Sequence, residues 1–137
     1  MLKRLVLTAA AIGALAGPVA AQTAEAPAQT RGEAKLAKML EGRVAGEPER
    51  CIRTFGSKSL TQIDDTALVY KDGDTVWVNY TRSPDSIDDG DYLVIKKFDA
   101  TSLCRTDQIT TYSRTGNFFS GVIFLDDFVP YRKAEEG

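Results

Sequence analysis

Along most of this chain, apolar residues fall into short runs separated by Asp, Gly, Asn and Pro, which is the pattern of an antiparallel β protein. The clearest case is residues 66–80, Thr-Ala-Leu-Val-Tyr-Lys-Asp-Gly-Asp-Thr-Val-Trp-Val-Asn-Tyr. Asp72-Gly73 joins two apolar stretches and predicts a hairpin with a two-residue type I′ loop. Such a ladder pairs Lys71 with Asp74, Tyr70 with Thr75, Val69 with Val76, Leu68 with Trp77 and Ala67 with Val78. One face then carries Ala67, Val69, Val76 and Val78, and the other carries Leu68, Tyr70, Trp77 and Asn79. Because both faces are apolar, the hairpin is expected to be covered on both sides, by the rest of a barrel or sandwich and by a helix. A longer, bulged loop would slip the register by one and invert the faces.

The remaining runs predict further strands at residues 50–55, 60–63, 92–98, 103–112 and 118–125. In 92–98, Leu93 and Ile95 share one face and Tyr92, Val94 and Phe98 the other. The stretch 118–125 is nearly continuous in apolar residues, so a buried strand with a bulge at Ser120-Gly121 is expected. Phe128-Val129-Pro130-Tyr131 closes the domain, and residues 81–91 form a loop with Pro84 and Gly90 as fixed points. Before all of these, Thr30 and Glu33 make a capping box. Leu36, Met39, Leu40 and Val44 follow at helical spacing, with Gly42 or Gly46 available to end the helix. A helix this short is marginal alone and is expected to dock on the sheet rather than on a membrane or partner. The organisation is thus a helix over 30–45, a β-rich domain over 46–133 and a charged tail at 134–137. The fold class is mainly β, a small antiparallel barrel or sandwich of six to seven strands with one N-terminal helix.

The start of the chain changes the picture of compartment. Lys3 and Arg4 precede an apolar run from Leu5 to Ala16, Pro18 breaks it, and Val19-Ala20-Ala21 supplies small residues for cleavage. Residues 1–21 therefore read as a cleavable signal peptide, too short for a spanning anchor, and 22–29 as a disordered leader. Cleavage takes Lys3 and Arg4 from the 17 cations and nothing from the 19 anions, leaving a net charge of −4 and no histidine. That balance argues against nucleic acid as a partner and against insertion in a membrane after cleavage. Cys51 and Cys104 are the two cysteines. In an exported chain such a pair is expected to be a structural disulfide, and no Cys-x-x-Cys spacing or histidine supports a redox or metal role.

Candidate chemistry is sparse. Asp85, Asp88, Asp89 and Asp91 crowd one loop, but their spacing departs from a calcium-binding EF-hand, and the loop reads as a turn and a possible contact surface. Asp64-Asp65 and Asp126-Asp127 could serve as acid/base pairs only if folding brought them together. There is no Gly-x-Ser-x-Gly, no Ser-x-x-Lys and no glycine-rich phosphate loop. Tyr70, Trp77, Tyr80 and Tyr92 are expected in the core rather than along a ligand groove. No catalytic residue, metal-ligand set or cofactor follows from the sequence.

Several short segments carry a resemblance. Arg50-Cys51-Ile52, Thr66-Ala67-Leu68-Val69, Val76-Trp77-Val78-Asn79, Asp89-Gly90-Asp91, Leu103-Cys104-Arg105-Thr106-Asp107 and Phe128-Val129-Pro130-Tyr131 occur in that order. Together they resemble a family of uncharacterised exported proteins of Gram-negative proteobacteria, over residues 50–133. The resemblance implies a periplasmic location and supports the Cys51–Cys104 bridge. Relatives carry a second cysteine pair near the positions of Ser83 and Ile123, neither of which is cysteine here. The resulting expectation is a non-catalytic periplasmic domain that binds an envelope protein or a small ligand. The alternative is a small enzyme or enzyme inhibitor using surface carboxylates.

Overall fold

A computed structural model describes residues 28–54 and 60–135. The stretch read as a signal peptide, most of that read as a leader, the end of the 50–55 strand at Phe55 and the last two residues of the tail lie outside these. Over the described residues the fold is mainly β, with antiparallel sheets and one helix. Helix α1 (Arg31–Met39) is followed by strands β1 (Arg43–Ala45), β2 (Cys51–Arg53), β3 (Thr61–Ile63), β4 (Ala67–Asp72) and β5 (Thr75–Asn79). A single 3-10 turn (Pro84–Ser86) precedes β6 (Asp91–Lys96), β7 (Ser102–Cys104), β8 (Gln108–Ser113), β9 (Phe119–Phe124) and β10 (Val129–Lys133). These ten strands form three sheets, in the orders β1-β10-β5-β4-β3, β2-β7 and β6-β8-β9, and no sheet closes into a barrel.

Helix α1 begins at the capping box, where the Thr30 N–H donates to Glu33 Oε2 at 2.7 Å and the Glu33 N–H donates to Thr30 Oγ1 at 3.2 Å. It ends at Met39, short of the 30–45 span expected from the spacing of Val44. Gly42 at φ +69° turns the chain, and Val44 instead pairs with Arg132 in an edge strand that the sequence pattern did not announce. Three residues cannot show an alternation, so the pairing with β10 decides their conformation.

The central hairpin forms with its loop one residue further on than expected. Asp72 pairs with Thr75, Lys71 with Val76, Tyr70 with Trp77, Val69 with Val78 and Leu68 with Asn79. Among the two loop residues Gly73 alone has positive φ, +54°, as a type II′ loop requires. A type I′ loop would have placed Asp72 in the left-handed region too. The Arg43 guanidinium from β1 donates to the Asp74 carbonyl and holds this loop. Each pair moves by one residue along both strands, so the two faces keep the same members even though every individual partner changes.

Both faces are covered, by different things. Ile63, Ala67, Val69, Val76 and Val78 pack with Leu36 of α1, and Met39, Leu40 and Tyr131 join them. Burying Leu36 contributes about 2 kcal/mol toward holding the helix in place. On the opposite face, Leu68, Tyr70 and Trp77 meet Ile52, Leu103, Ile109, Ile123, Leu125 and Phe128 from the other sheets and the last loop. The expected strand at 103–112 is two strands, because Arg105-Thr106-Asp107 turns the chain between β7 and β8. The Asp107 carboxylate makes that turn, accepting from the Cys104 N–H at 2.7 Å and the Phe98 N–H at 3.0 Å. Cys51 and Cys104 are directly opposed on β2 and β7 and are disulfide-bonded. The bridge thus staples a two-stranded ribbon.

Candidate functional site

The three-stranded sheet β6-β8-β9 has one face inside and one outside. Ile95, Ile109 and Ile123 stand in one cross-strand row, and the last two are buried. Because side chains alternate along a strand, the flanking rows point the other way. One is Tyr92, Tyr112 and Phe119, another is Val94, Thr110 and Val122, and a third is Lys96, Gln108 and Phe124. Tyr92 and Tyr112 stack with ring centroids 5.6 Å apart, and Phe119 meets Tyr112 edge-on at 6.1 Å. Nothing among the described residues covers this face: Phe119 is 62 % exposed and Phe124 58 %. Phe118 and Phe98, at the two ends of the sheet, are still more open.

This overturns the expectation of a buried strand at 118–125. Only Ile123 of β9, with Leu125 after it, is buried. The bulge at Ser120-Gly121 is present, since Thr111 pairs with Gly121 while the next residue, Tyr112, pairs with Phe119. That extra residue puts the Phe119 ring beside Tyr112 on the outer face. Along β9 the apolar run hides the alternation, so sequence offered no contrast to read. The signal lay on the neighbouring strands, where Gln108, Thr110 and Lys96 occupy outer positions.

The aromatics read as core divide. Tyr70 is fully buried and Trp77 is packed against the main core, with Arg132 stacked over its ring at 5.8 Å. Tyr92 lies on the outer sheet face. Tyr80 is 39 % exposed and its hydroxyl hydrogen-bonds that of Tyr131 at 2.7 Å. Burial first, and then that hydrogen bond, push the Tyr80 hydroxyl well above its ordinary value.

The acidic loop is anchored rather than free. Ile87 at its centre is buried in the main core, and its carbonyl accepts from the Asp65 N–H at 3.0 Å. The loop therefore lies across the β3 edge, where the Gln62 side chain donates to the Asp88 carbonyl at 2.6 Å. Asp64, Asp88 and Asp89 have carboxylate oxygens within 4.8 Å of one another, and all three residues are exposed. Asp64 Oδ1 accepts from the Asp89 N–H at 2.6 Å and Asp88 Oδ1 from the Gly90 N–H at 2.7 Å. They are the one set among the described residues spaced to share a cation, and two of them, Asp64 and Asp88, already serve as turn acceptors. Asp85 and Asp91 stand outside this set, and Asp91 is buried. Asp127, of the other acidic pair, is bound to Arg105 at 3.0 Å.

Comparison of the chain with family models, curated proteins and solved structures finds no match.

Proposed function

We propose that this chain is an exported, non-catalytic binding domain of the periplasm that docks an envelope protein through the outer face of β6-β8-β9. Its architecture is a sandwich of the five-stranded sheet against the three-stranded one, stapled by the β2-β7 ribbon. The observation that carries the reading is the stacked row Tyr92, Tyr112 and Phe119, continued by the exposed Phe124, on a sheet face that no other element among the described residues covers. Contiguous exposed apolar surface of this kind marks interaction sites, and tyrosine and phenylalanine are the residues that interfaces concentrate. Lys96, Gln108 and Thr110 interleave with the rings and provide hydrogen-bonding groups for a protein surface. The disulfide fits an oxidising compartment, as the signal-peptide reading requires.

The enzyme reading finds less support. The carboxylates that converge are exposed, and those of Asp64 and Asp88 are tied to backbone N–H groups, whereas general acid/base pairs are tuned by partial burial.

Site-specific photocrosslinking in living cells tests the proposal. A crosslinker at Thr110 or Val122 is expected to trap one envelope protein, and a crosslinker at Glu41 is not. The adduct is expected to disappear in Tyr112→Ser/Phe119→Ser. If Thr110 and Val122 trap nothing, or only a second copy of this chain, the reading is overturned.

A further inference from the structure

Positive charge gathers at one place on this acidic chain. The pairing of Cys51 with Cys104 continues one step outward, where the Arg105 N–H donates to the Arg50 carbonyl at 2.9 Å. Arg50 and Arg105 are therefore directly opposed on the ladder and share a face. Two like charges in that relationship destabilise a ribbon. Here the disulfide, one residue away, holds the two strands in that register regardless.

A third arginine arrives from another part of the fold. After β5 the chain passes through Thr81 at φ +55°, and the Arg82 N–H then donates to the Phe124 carbonyl at 2.9 Å. Arg50, Arg82 and Arg105 line one cavity of about 480 Å³, with Leu125 buried in its wall and the exposed Phe124 ring beside it. The positive φ at Thr81 belongs to this arrangement: a β-branched residue disfavours the left-handed region, and the Thr81 hydroxyl is buried with no partner among the described residues.

The cavity is not neutralised from within. Asp107 lies in its wall, but both carboxylate oxygens are occupied by backbone N–H groups. Asp127 pairs with Arg105. Against three guanidinium charges there are these two carboxylates, leaving an excess of one positive charge, and the guanidinium groups of Arg50 and Arg82 are the ones not engaged by either carboxylate. Among the described residues, neither of those two guanidinium groups has an ion-pair or hydrogen-bond partner. Guanidinium forks match the oxygens of a phosphate in pairs, and a dianion satisfies several of them at once.

We propose that this cavity binds a phosphomonoester, with the phosphate held by Arg50, Arg82 and Arg105 and the organic group lying against Phe124. The inference goes beyond protein docking and rests on other residues, Phe124 apart.

Titration calorimetry of the disulfide-bonded chain with phenyl phosphate tests it. Saturable binding is expected, tighter than that of inorganic phosphate and weakening as salt rises. Arg50→Gln/Arg82→Gln is expected to weaken it at least tenfold with an unfolding midpoint no lower than that of the native chain, since both side chains are exposed and Arg50 opposes Arg105. Arg50→Lys/Arg82→Lys should fall between the two, keeping the charge and losing the fork. Phe124→Ser should erase the preference for phenyl phosphate over inorganic phosphate. Phosphatidate vesicles present the same group on a membrane: co-sedimentation lost in the double glutamine variant would assign a lipid source, and phenyl phosphate binding without co-sedimentation a soluble one. No binding of phenyl phosphate, or equal binding by the double glutamine variant, would overturn the proposal.

Discussion

The Asn79 side chain grips Asp126 by both of its backbone groups. Asn79 Nδ2 donates to the Asp126 carbonyl at 2.6 Å, and Asn79 Oδ1 accepts from the Asp126 N–H at 3.0 Å. The same oxygen accepts from the Thr81 N–H, also at 3.0 Å. Asn79 is fully buried, so this one amide joins the end of β5 to the connection between β9 and β10 without water. Asn79→Ala would leave the buried Thr81 N–H and the part-buried Asp126 N–H and carbonyl without their partner and open a void. A loss of about 3 kcal/mol of unfolding free energy is expected from urea denaturation. A change under about 0.5 kcal/mol, the size of an ordinary surface substitution, would refute this role.

Gly32 offers a case where local propensity and packing oppose each other. Within a helix, replacing Gly by Ala gains up to about 1 kcal/mol. A Cβ at Gly32, however, would lie well inside van der Waals contact with Thr66 Oγ1 and with the backbone carbonyl of Asp64. A backbone carbonyl cannot swing aside, and overpacking of this kind costs about 1–3 kcal/mol or more. Packing wins, so Gly32→Ala should lower the thermal midpoint. A higher midpoint would show that α1 is not seated on the turn between β3 and β4.

The Cys51–Cys104 bridge spans a sequence separation of 53. By the chain-entropy argument, a loop of that length gives roughly 4 kcal/mol of stabilisation. Unfolding followed with and without reductant should differ by most of that amount, and Cys51→Ala/Cys104→Ala should match the reduced protein. A difference below about 1 kcal/mol would mean that the ribbon keeps its register without the bridge.

Tyr80 should set part of the alkaline limit. The Tyr80 hydroxyl titrates above its ordinary 10.0, so above that pH the unfolded chain releases a proton that the folded chain retains. Stability from this group is complete below pH 10.0 and declines as the pH rises from there toward the folded-state value. The urea midpoint of the native chain should therefore fall between about pH 9 and 11, and Tyr80→Phe should flatten part of that fall. Identical slopes would remove Tyr80 from the account.

How far sequence reaches is plain from particular elements. The capping box at Thr30 and Glu33 depends on neighbours in the chain alone, and it forms as read. The membership of the two hairpin faces depends on alternation, which survives the displaced loop, while the actual partners depended on which residue takes the positive φ. Beyond this range sequence loses its grip. Strand β1 exists because β10 is there to pair with it, and the turn at residues 105–107 exists because Asp107 finds two backbone donors, one of them on Phe98.

The candidate sites follow the same division. Sequence by itself determined a β-rich chain, a cysteine pair able to bond, a capped helix and the central two-faced hairpin, all consequences of local periodicity and short-range chemistry. The tertiary structure alone decided which apolar residues face water and which charges meet. Phe119 and Phe124 are exposed because no described element packs on the outer face of β6-β8-β9, and Arg50, Arg82 and Arg105 line one cavity because one backbone hydrogen bond pairs Arg105 with Arg50 and another ties Arg82 to Phe124. Burial and charge convergence are properties of long-range contacts, and alternation along a strand carries no record of what lies opposite its faces.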